Sequence, residues 1–240
     1  MKSLKNGRTL KGNFEHAEWD NILTEMKTTN ENGKRLYLTP DGNKYPSATT
    51  VLSILTKKAI KAWRKRVGEK KANEISTKAS NRGTKVHKLC EDYLNNVEIP
   101  VDEEMPINMQ MFLSIKPLMD ENINQIYMQE APLYSDHLRM AGRVDCVAHY
   151  AGSEHPAIID FKTSSRPKKK SQISNYFLQC AAYSIMFEER TGISVPNLVV
   201  MVAVDGDTPQ VFVEKRDDWT GLLLETRDRF EYEQELNDEQ

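Results

Sequence analysis

Two short apolar segments, Gly142-Arg143-Val144-Asp145 and Ile158-Ile159-Asp160-Phe161-Lys162, constrain this chain more than any other feature. Both are rich in Val and Ile, and Gly152-Ser153 lies between them, so they read as the arms of a β-hairpin. A hairpin centred on that turn sets Asp145 opposite Asp160. Residues so paired have Cβ atoms roughly 5 Å apart. Two carboxylates that close repel unless a proton or a metal ion lies between them. Strand alternation puts Lys162 on the face of Asp160 and turns Phe161 away. Upstream, Ile126 to Tyr134 reads as a further strand, and the turn Ser135-Asp136-His137 sets Glu130 opposite Asp145. Glu130, Asp145 and Asp160 then form one row across three antiparallel strands, provided neither hairpin slips by a residue.

Elsewhere the pattern is mostly helical. Residues 1–32 are polar and read as an irregular arm with a short helix near Ala17 to Met26. Arg35 to Leu38 and Lys44-Tyr45 flank Asp41-Gly42, a hairpin turn signal, and Ser47 suits the N-cap of a helix over Thr49 to Leu55. Lys57 to Lys71 holds eight Lys or Arg, one acid and Trp63. A solvated helix face accounts for such a run, and so does a phosphate-contacting helix whose Trp63 stacks on a base. Gly83-Thr84 reads as a helix start, with His87 and Glu91 one turn apart on a shared face. An imidazole there can ligate a metal while a carboxylate orients it, although a lone His on an amphipathic helix is commonly structural. Pro100 to Met105 reads as a linker and Ile107 to Glu121 as a helix kinked at Pro117. A basic loop, Arg166 to Lys170, precedes a helix over Ser171 to Arg190 that carries Tyr176, Gln179 and Tyr183 near one face and ends at Gly192. Pro196 to Val204 and Gln210 to Val213 read as paired strands, and Asp217 to Leu236 as a final helix with an acidic end.

Composition limits the setting. Hydrophobic residues are 39% of 240 and the net charge is −2, so any nucleic-acid site must be a local patch. No apolar run approaches the roughly 18 residues of a membrane helix, and the first twenty residues lack a secretory h-region. Cys90, Cys146 and Cys180 are far apart and lack a CxxC, which suits reduced, buried thiols. The expected setting is cytoplasmic (host cytoplasm if phage-encoded), with no membrane partner.

Phosphodiester hydrolysis needs an activated water and charge relief on the phosphate, and a divalent metal supplies both. Mg²⁺ is satisfied by two or three carboxylates plus waters, and a nearby lysine orients or deprotonates the water or stabilises the pentavalent state. Asp145, Asp160 and Lys162 meet that demand. The plainer alternative is a surface hairpin with an Asp160–Lys162 salt bridge. Against it, Asp160 ends an apolar run, where an unpaired charge is costly.

The ordered set Gly142-Arg143-Val144-Asp145, Asp160-Phe161-Lys162-Thr163 and Gln179-x-x-x-Tyr183 resembles the RecB-like branch of the PD-(D/E)xK nucleases. Gly83-Thr84-x-x-His87-x-x-x-Glu91 resembles that branch's helical His motif. Tyr45-Pro46-Ser47 is similar to the opening of the mitochondrial genome maintenance exonucleases and related phage exonucleases. The resemblance spans about residues 35 to 215. It implies an α/β (α+β) fold: a central mixed β-sheet flanked by helices, a restriction-endonuclease-like core with a helical N-terminal part. It implies Mg²⁺ or Mn²⁺ held by His87, Asp145, Asp160 and the Phe161 carbonyl, with Glu91 behind them. Lys162 matches the catalytic lysine, Gln179 and Tyr183 position the scissile strand or that lysine, and Glu130 occupies a place where relatives carry an acid.

Candidate DNA-contacting residues are Lys61, Trp63, Arg64, Lys65, Arg82, Arg143, Thr163, Ser164 and Lys168. The basic helix is expected near the active site, as part of an arch or groove over DNA. The chain divides into a polar arm (1–34), a hairpin and helical part (35–121) and a nuclease core with its C-terminal helix (122–240). The expected activity is a metal-dependent DNA exonuclease acting on single strands or DNA ends in replication, recombination or repair, with proteins of those processes as possible partners. A non-catalytic DNA-binding recombination accessory and a structure-specific endonuclease are the alternatives.

Overall fold

A computed structural model describes residues 8–18, 25–31 and 34–238. Five strands form the central sheet: β6 (Ile123–Ser135), β7 (Met140–Tyr150), β8 (Pro156–Ser164), β9 (Asn197–Val204) and β10 (Gln210–Lys215), in the order β10-β9-β8-β7-β6. Strands β6 to β8 are an antiparallel meander. Strand β9 runs parallel to β8 after a crossover through α4 (Ser174–Thr191), and β10 returns antiparallel to β9. A parallel neighbour demands such a crossover, because a tight turn only reverses the chain. The expected registers hold: Gln129 faces Cys146, Ala131 faces Val144, and Cys146 faces Ile159. Glu130–Asp145 and Asp145–Asp160 are therefore the next positions in line.

Both faces of the sheet are covered, so β8 and β9 read as near-continuous apolar runs rather than alternating ones. Leu198, Val200 and Val202 pack with α4, the first turns of α1 (Ala48–Val67) and Leu223 and Phe230 of α5 (Asp217–Asp238). Val199, Met201 and Ala203 face the other way, toward α2 (Glu69–Leu94) and α3 (Pro106–Asn122). That second cluster joins Val86 and Leu94 to Cys146 and Ile159, so the helical part and the sheet share one core across residue 121. Each fully buried Phe or Leu here contributes roughly 1.5–3 kcal/mol over its exposed state. Pro117 sits inside α3, which continues through it.

The N-terminal arm departs from expectation in two places. The short helix near Ala17 to Met26 falls largely on residues 19–24, outside the described ones. Two segments of the arm are strands: β1 (Thr9–Leu10) pairs with β5 (Ile99–Pro100), and β2 (Lys27–Glu31) pairs with β3 (Lys34–Leu38). Strand β2 is exposed along its whole length, so it carried no alternation to read. Strand β3 pairs with β4 (Lys44–Pro46) across the Asp41-Gly42 turn as expected.

The largest correction concerns the helices. Ser47 does cap α1, its Oγ accepting from Thr50 N at 3.0 Å. The helix then runs not to Leu55 but through the basic segment to Val67, because Ala, Lys and Arg are good helix formers. Gly68, at φ 84°, makes the break. The next helix starts at Glu69, and Gly83-Thr84 is its interior, not its start. The result is a helical hairpin turning at Gly68, with Arg64 hydrogen-bonded to Glu69 (Nε, 3.0 Å) and Asn73 (2.5 Å) to hold the turn.

Candidate active site

The β7–β8 ladder stops at Cys146–Ile159, one residue short of the two acids. Beyond it Asp145 Oδ2 accepts from Phe161 N at 2.9 Å, taking the place of a ladder bond. The alternation of β7 also resets here: Val144 packs on the α4 side, whereas Cys146 packs toward α2 and α3. Asp145 thus lies in a fork between strands. Glu130, on the other flank, has φ 43°, a left-handed conformation uncommon for a residue with a side chain. Its carbonyl accepts from Arg143, whose other amine reaches Glu25 at 2.7 Å.

Helix α2 brings His87 over this fork, with Nδ1 3.3 Å from Asp145 Oδ2. His87, Glu130 and Asp145 each offer a ligand atom, and all three lie within 4.8 Å of one another. They line a cavity of about 420 Å³ with Gly83, Thr84, Lys88 and Glu91. Burial pushes Glu130 up to about 7; Asp145 and Glu91 add to this, while Arg143 and Lys88 oppose it. Burial lowers His87, as Lys162 does, against the pull of Asp145 and the Phe161 backbone. A neutral imidazole beside two carboxylates is a donor set that suits a divalent cation, and a cation would offset both the burial and the carboxylate repulsion that raise Glu130. Glu91 is one turn from His87 as expected, but is held by Lys88 at 3.2 Å.

Asp160 is not in that cluster. It is 1% exposed, and Lys162 Nζ is paired with both of its oxygens. Lys162 in turn lies 5.2 Å from the centre of the Tyr176 ring on α4. Burial pushes Asp160 up to about 7, with Lys162 opposing and Asp145 adding. Burial works against the Lys162 ammonium, but Asp160 and Asp145 outweigh it and keep it charged above the usual lysine range. The expected single row of acids is therefore divided: Glu130 and Asp145 meet His87, and Asp160 meets Lys162. Phe161, turned away as expected, packs in the α2–α3 cluster.

On α4, burial and the two aspartates raise Tyr183, and a Gln179 hydrogen bond opposes this. A Cβ on Gly142 would lie 2.7 Å from Tyr183 Cε1, so the glycine in Gly142-Arg143-Val144-Asp145 makes room for that ring. Tyr176 has the face the sequence suggested, but its place over Lys162 was not foreseen; its position three residues before Gln179 is the available signal.

The candidate DNA contacts scatter. Arg82 reaches Asp205 at 3.4 Å beside Thr163 and Ser164 at the ends of β8 and β9. Ser164 Oγ donates to the Arg166 carbonyl, and the Lys168 backbone is held by Gln210. Lys61 and Lys65 are exposed and Trp63 and Arg64 half-buried on the helical hairpin. At about 1.5 Å per residue, its Gly68 turn lies on the order of 28 Å along α2 from His87. The tip of the basic hairpin thus reaches out from the site, while Lys57 and Lys61 lie nearer the base of the arm.

A five-stranded mixed sheet with helices on both faces, forked at an Asp and an Asp-x-Lys, defines the restriction-endonuclease-like class. The family model of the PD-(D/E)XK nuclease superfamily matches residues 107–238, more than half of the chain, and the chain belongs to that superfamily. Metal-dependent nuclease chemistry on a nucleic-acid substrate comes with membership. A comparison with curated proteins finds no match. Glu130, Asp145, Asp160, Lys162, Gln179 and Tyr183 fall inside the matched segment; His87 and the basic arm precede it.

Proposed function

We propose that the chain is a DNA exonuclease of the RecB-like branch, acting on single strands or DNA ends in replication, recombination or repair with Mg²⁺ or Mn²⁺. The observation that carries this is the His87–Glu130–Asp145 cluster standing beside the Asp160–Lys162 pair at one fork in the sheet. His87 and Asp145 would hold the ion, with Glu130 the nearest third donor; the resemblance adds the Phe161 carbonyl and Asp160, but Asp160 is paired with Lys162. When bound, such an ion supplies charge relief on the phosphate and lowers the pKa of an attacking water. Lys162, paired with Asp160 at the fork, stabilises developing negative charge on the phosphate. Gln179 and Tyr183 fix the inner edge of the site, and the basic arm holds the strand by its phosphates.

Digestion of 5′- and 3′-labelled linear and circular DNA tests the reading. The expected result is shortening of linear strands from an end with Mg²⁺ or Mn²⁺, none in EDTA, and intact circles. Cutting of circles would instead mean an endonuclease, and binding without cleavage under every metal would mean an accessory protein. A Lys162→Ala chain that degrades DNA as fast as wild type sinks the assignment of the lysine.

A further inference from the structure

Helix α2 contains a glycine that the fold does not require. A Cβ on Gly83 would meet only Thr163 Oγ1, at 3.7 Å, an ordinary contact. Glycine is a poorer helix residue than alanine, so its bare backbone is better explained by what passes over it. Gly83 and Thr84 line the metal cavity. Thr84 also lines a second cavity of about 820 Å³ between α2 and the segment leading into α3. The two cavities share Thr84 in their linings, with Gly83 on the metal-cavity side of it.

The walls of the second cavity differ in character. Lys78, Arg82 and Lys85 project from α2. Opposite stand Met105, 64% exposed, and Ile107. Glu104 shares that wall, but its carboxylate is turned to its own chain, accepting from Met105 N at 2.8 Å and Asn108 Nδ2 at 2.9 Å. The exposed Glu103 lines the cavity as well, so one wall offers cations and the other an apolar surface bordered by a carboxylate. A volume of this size falls in the range of roughly 300–1,000 Å³ typical of small-molecule sites. From Thr84 to Lys78 is about 9 Å along the helix, roughly three stacked nucleotides of one strand.

We propose that one strand passes from the metal cluster over Gly83 and Thr84 into this groove. A nucleotide within about three positions of the scissile phosphate rests its base on Met105 and Ile107, with its phosphates at Lys78 and Lys85. Only an unpaired base has a free face to offer, so the groove selects single strands at the site. This rests on the nuclease reading, and its test separates the two.

Fluorescence anisotropy in EDTA, where cleavage does not intervene, measures binding of a short single-stranded DNA with one abasic site walked along it. In wild type, abasic sites at one or two positions weaken binding about fivefold, in the lower range for loss of a stacked base. In Met105→Ala/Ile107→Ala that position dependence disappears. In Lys78→Ala/Lys85→Ala all oligonucleotides bind more weakly, with a salt slope reduced by about 1–1.5. Equal binding at every abasic position, or a position dependence that survives Met105→Ala/Ile107→Ala, overturns the groove even if the enzyme cuts DNA. Base-dependent binding without cleavage under any metal upholds the groove and overturns the nuclease reading. A wild-type protein that does not bind the strand overturns both.

Discussion

Asp145 and Asp160 stand on adjacent strands, each one step past the same ladder pair, and yet occupy different chemical worlds. Asp145 turns into the fork, takes Phe161 N, and faces His87 across an open cavity. Asp160 is sealed against Lys162 on the α4 side. The difference teaches that strand register places an acid, but the end of the ladder decides its role. Where pairing stops, a carboxylate is free to serve a ligand; where the strand stays packed, it must serve a neighbour.

The sharpest way to break this comparison is to neutralise each acid in turn. Asp145→Asn is predicted to slow metal-dependent cleavage on the order of a thousandfold, while urea unfolding in EDTA changes little. Asp160→Asn is predicted to slow cleavage as well, and also to cost stability. Removing one member of a buried pair costs about 3–5 kcal/mol; Lys162 keeps 18% of its side-chain surface, so a loss of about 2–3 kcal/mol is expected. If the two variants lose equal stability, the contrast between the acids is wrong.

A milder effect is expected when the pair is broken from the other side. Lys162→Met leaves Asp160 buried, but a carboxyl sheds its charge by taking a proton near neutral pH, whereas an ammonium beside Asn must be forced far below its usual range to lose one. Asp160 is already pushed up to about 7 with its lysine present, and without the lysine it rises further. A folded chain that holds this proton, against an unfolded one that releases it near pH ~4, loses stability as pH rises through that window. Unfolding of Lys162→Met in EDTA between pH 5 and pH 8 should therefore show stability falling by up to about 1.4 kcal/mol per pH unit. A flat profile for the variant would mean that Asp160 is solvated.

These contrasts were only half legible in the amino-acid sequence. The registers that align Glu130, Asp145 and Asp160 follow from turn residues and alternation, both local. The fork does not, because Asp145's bond to Phe161 depends on where a ladder between distant residues ends. His87 was found through its spacing to Glu91, but Gly83 misled: Gly-Thr before an apolar repeat looks like a helix start, and nothing local reveals that α2 began fourteen residues earlier, at Glu69. The groove at Met105 and Ile107 had no signal, since its walls come from a linker and a helix interior that meet only in the fold.

Two glycines carry the comparison to its finest scale, one on each side of the sheet. Gly142 faces α4, where an added Cβ would meet Tyr183 at 2.7 and 2.8 Å. Gly83 faces the cavity, where an added Cβ would meet only Thr163 Oγ1 at 3.7 Å. Gly142→Ala is predicted to cost about 1–3 kcal/mol through overpacking, partly recovered when Tyr183→Leu is made in the same chain. Gly83→Ala is predicted to gain up to about 1 kcal/mol from helix propensity and yet to slow cleavage, because a methyl then stands where the strand crosses. Thermal unfolding paired with a cleavage assay reads both effects. A Gly83→Ala chain that is more stable and equally active would show that the strand does not cross α2 there, and would leave the fork without an assigned path for its substrate.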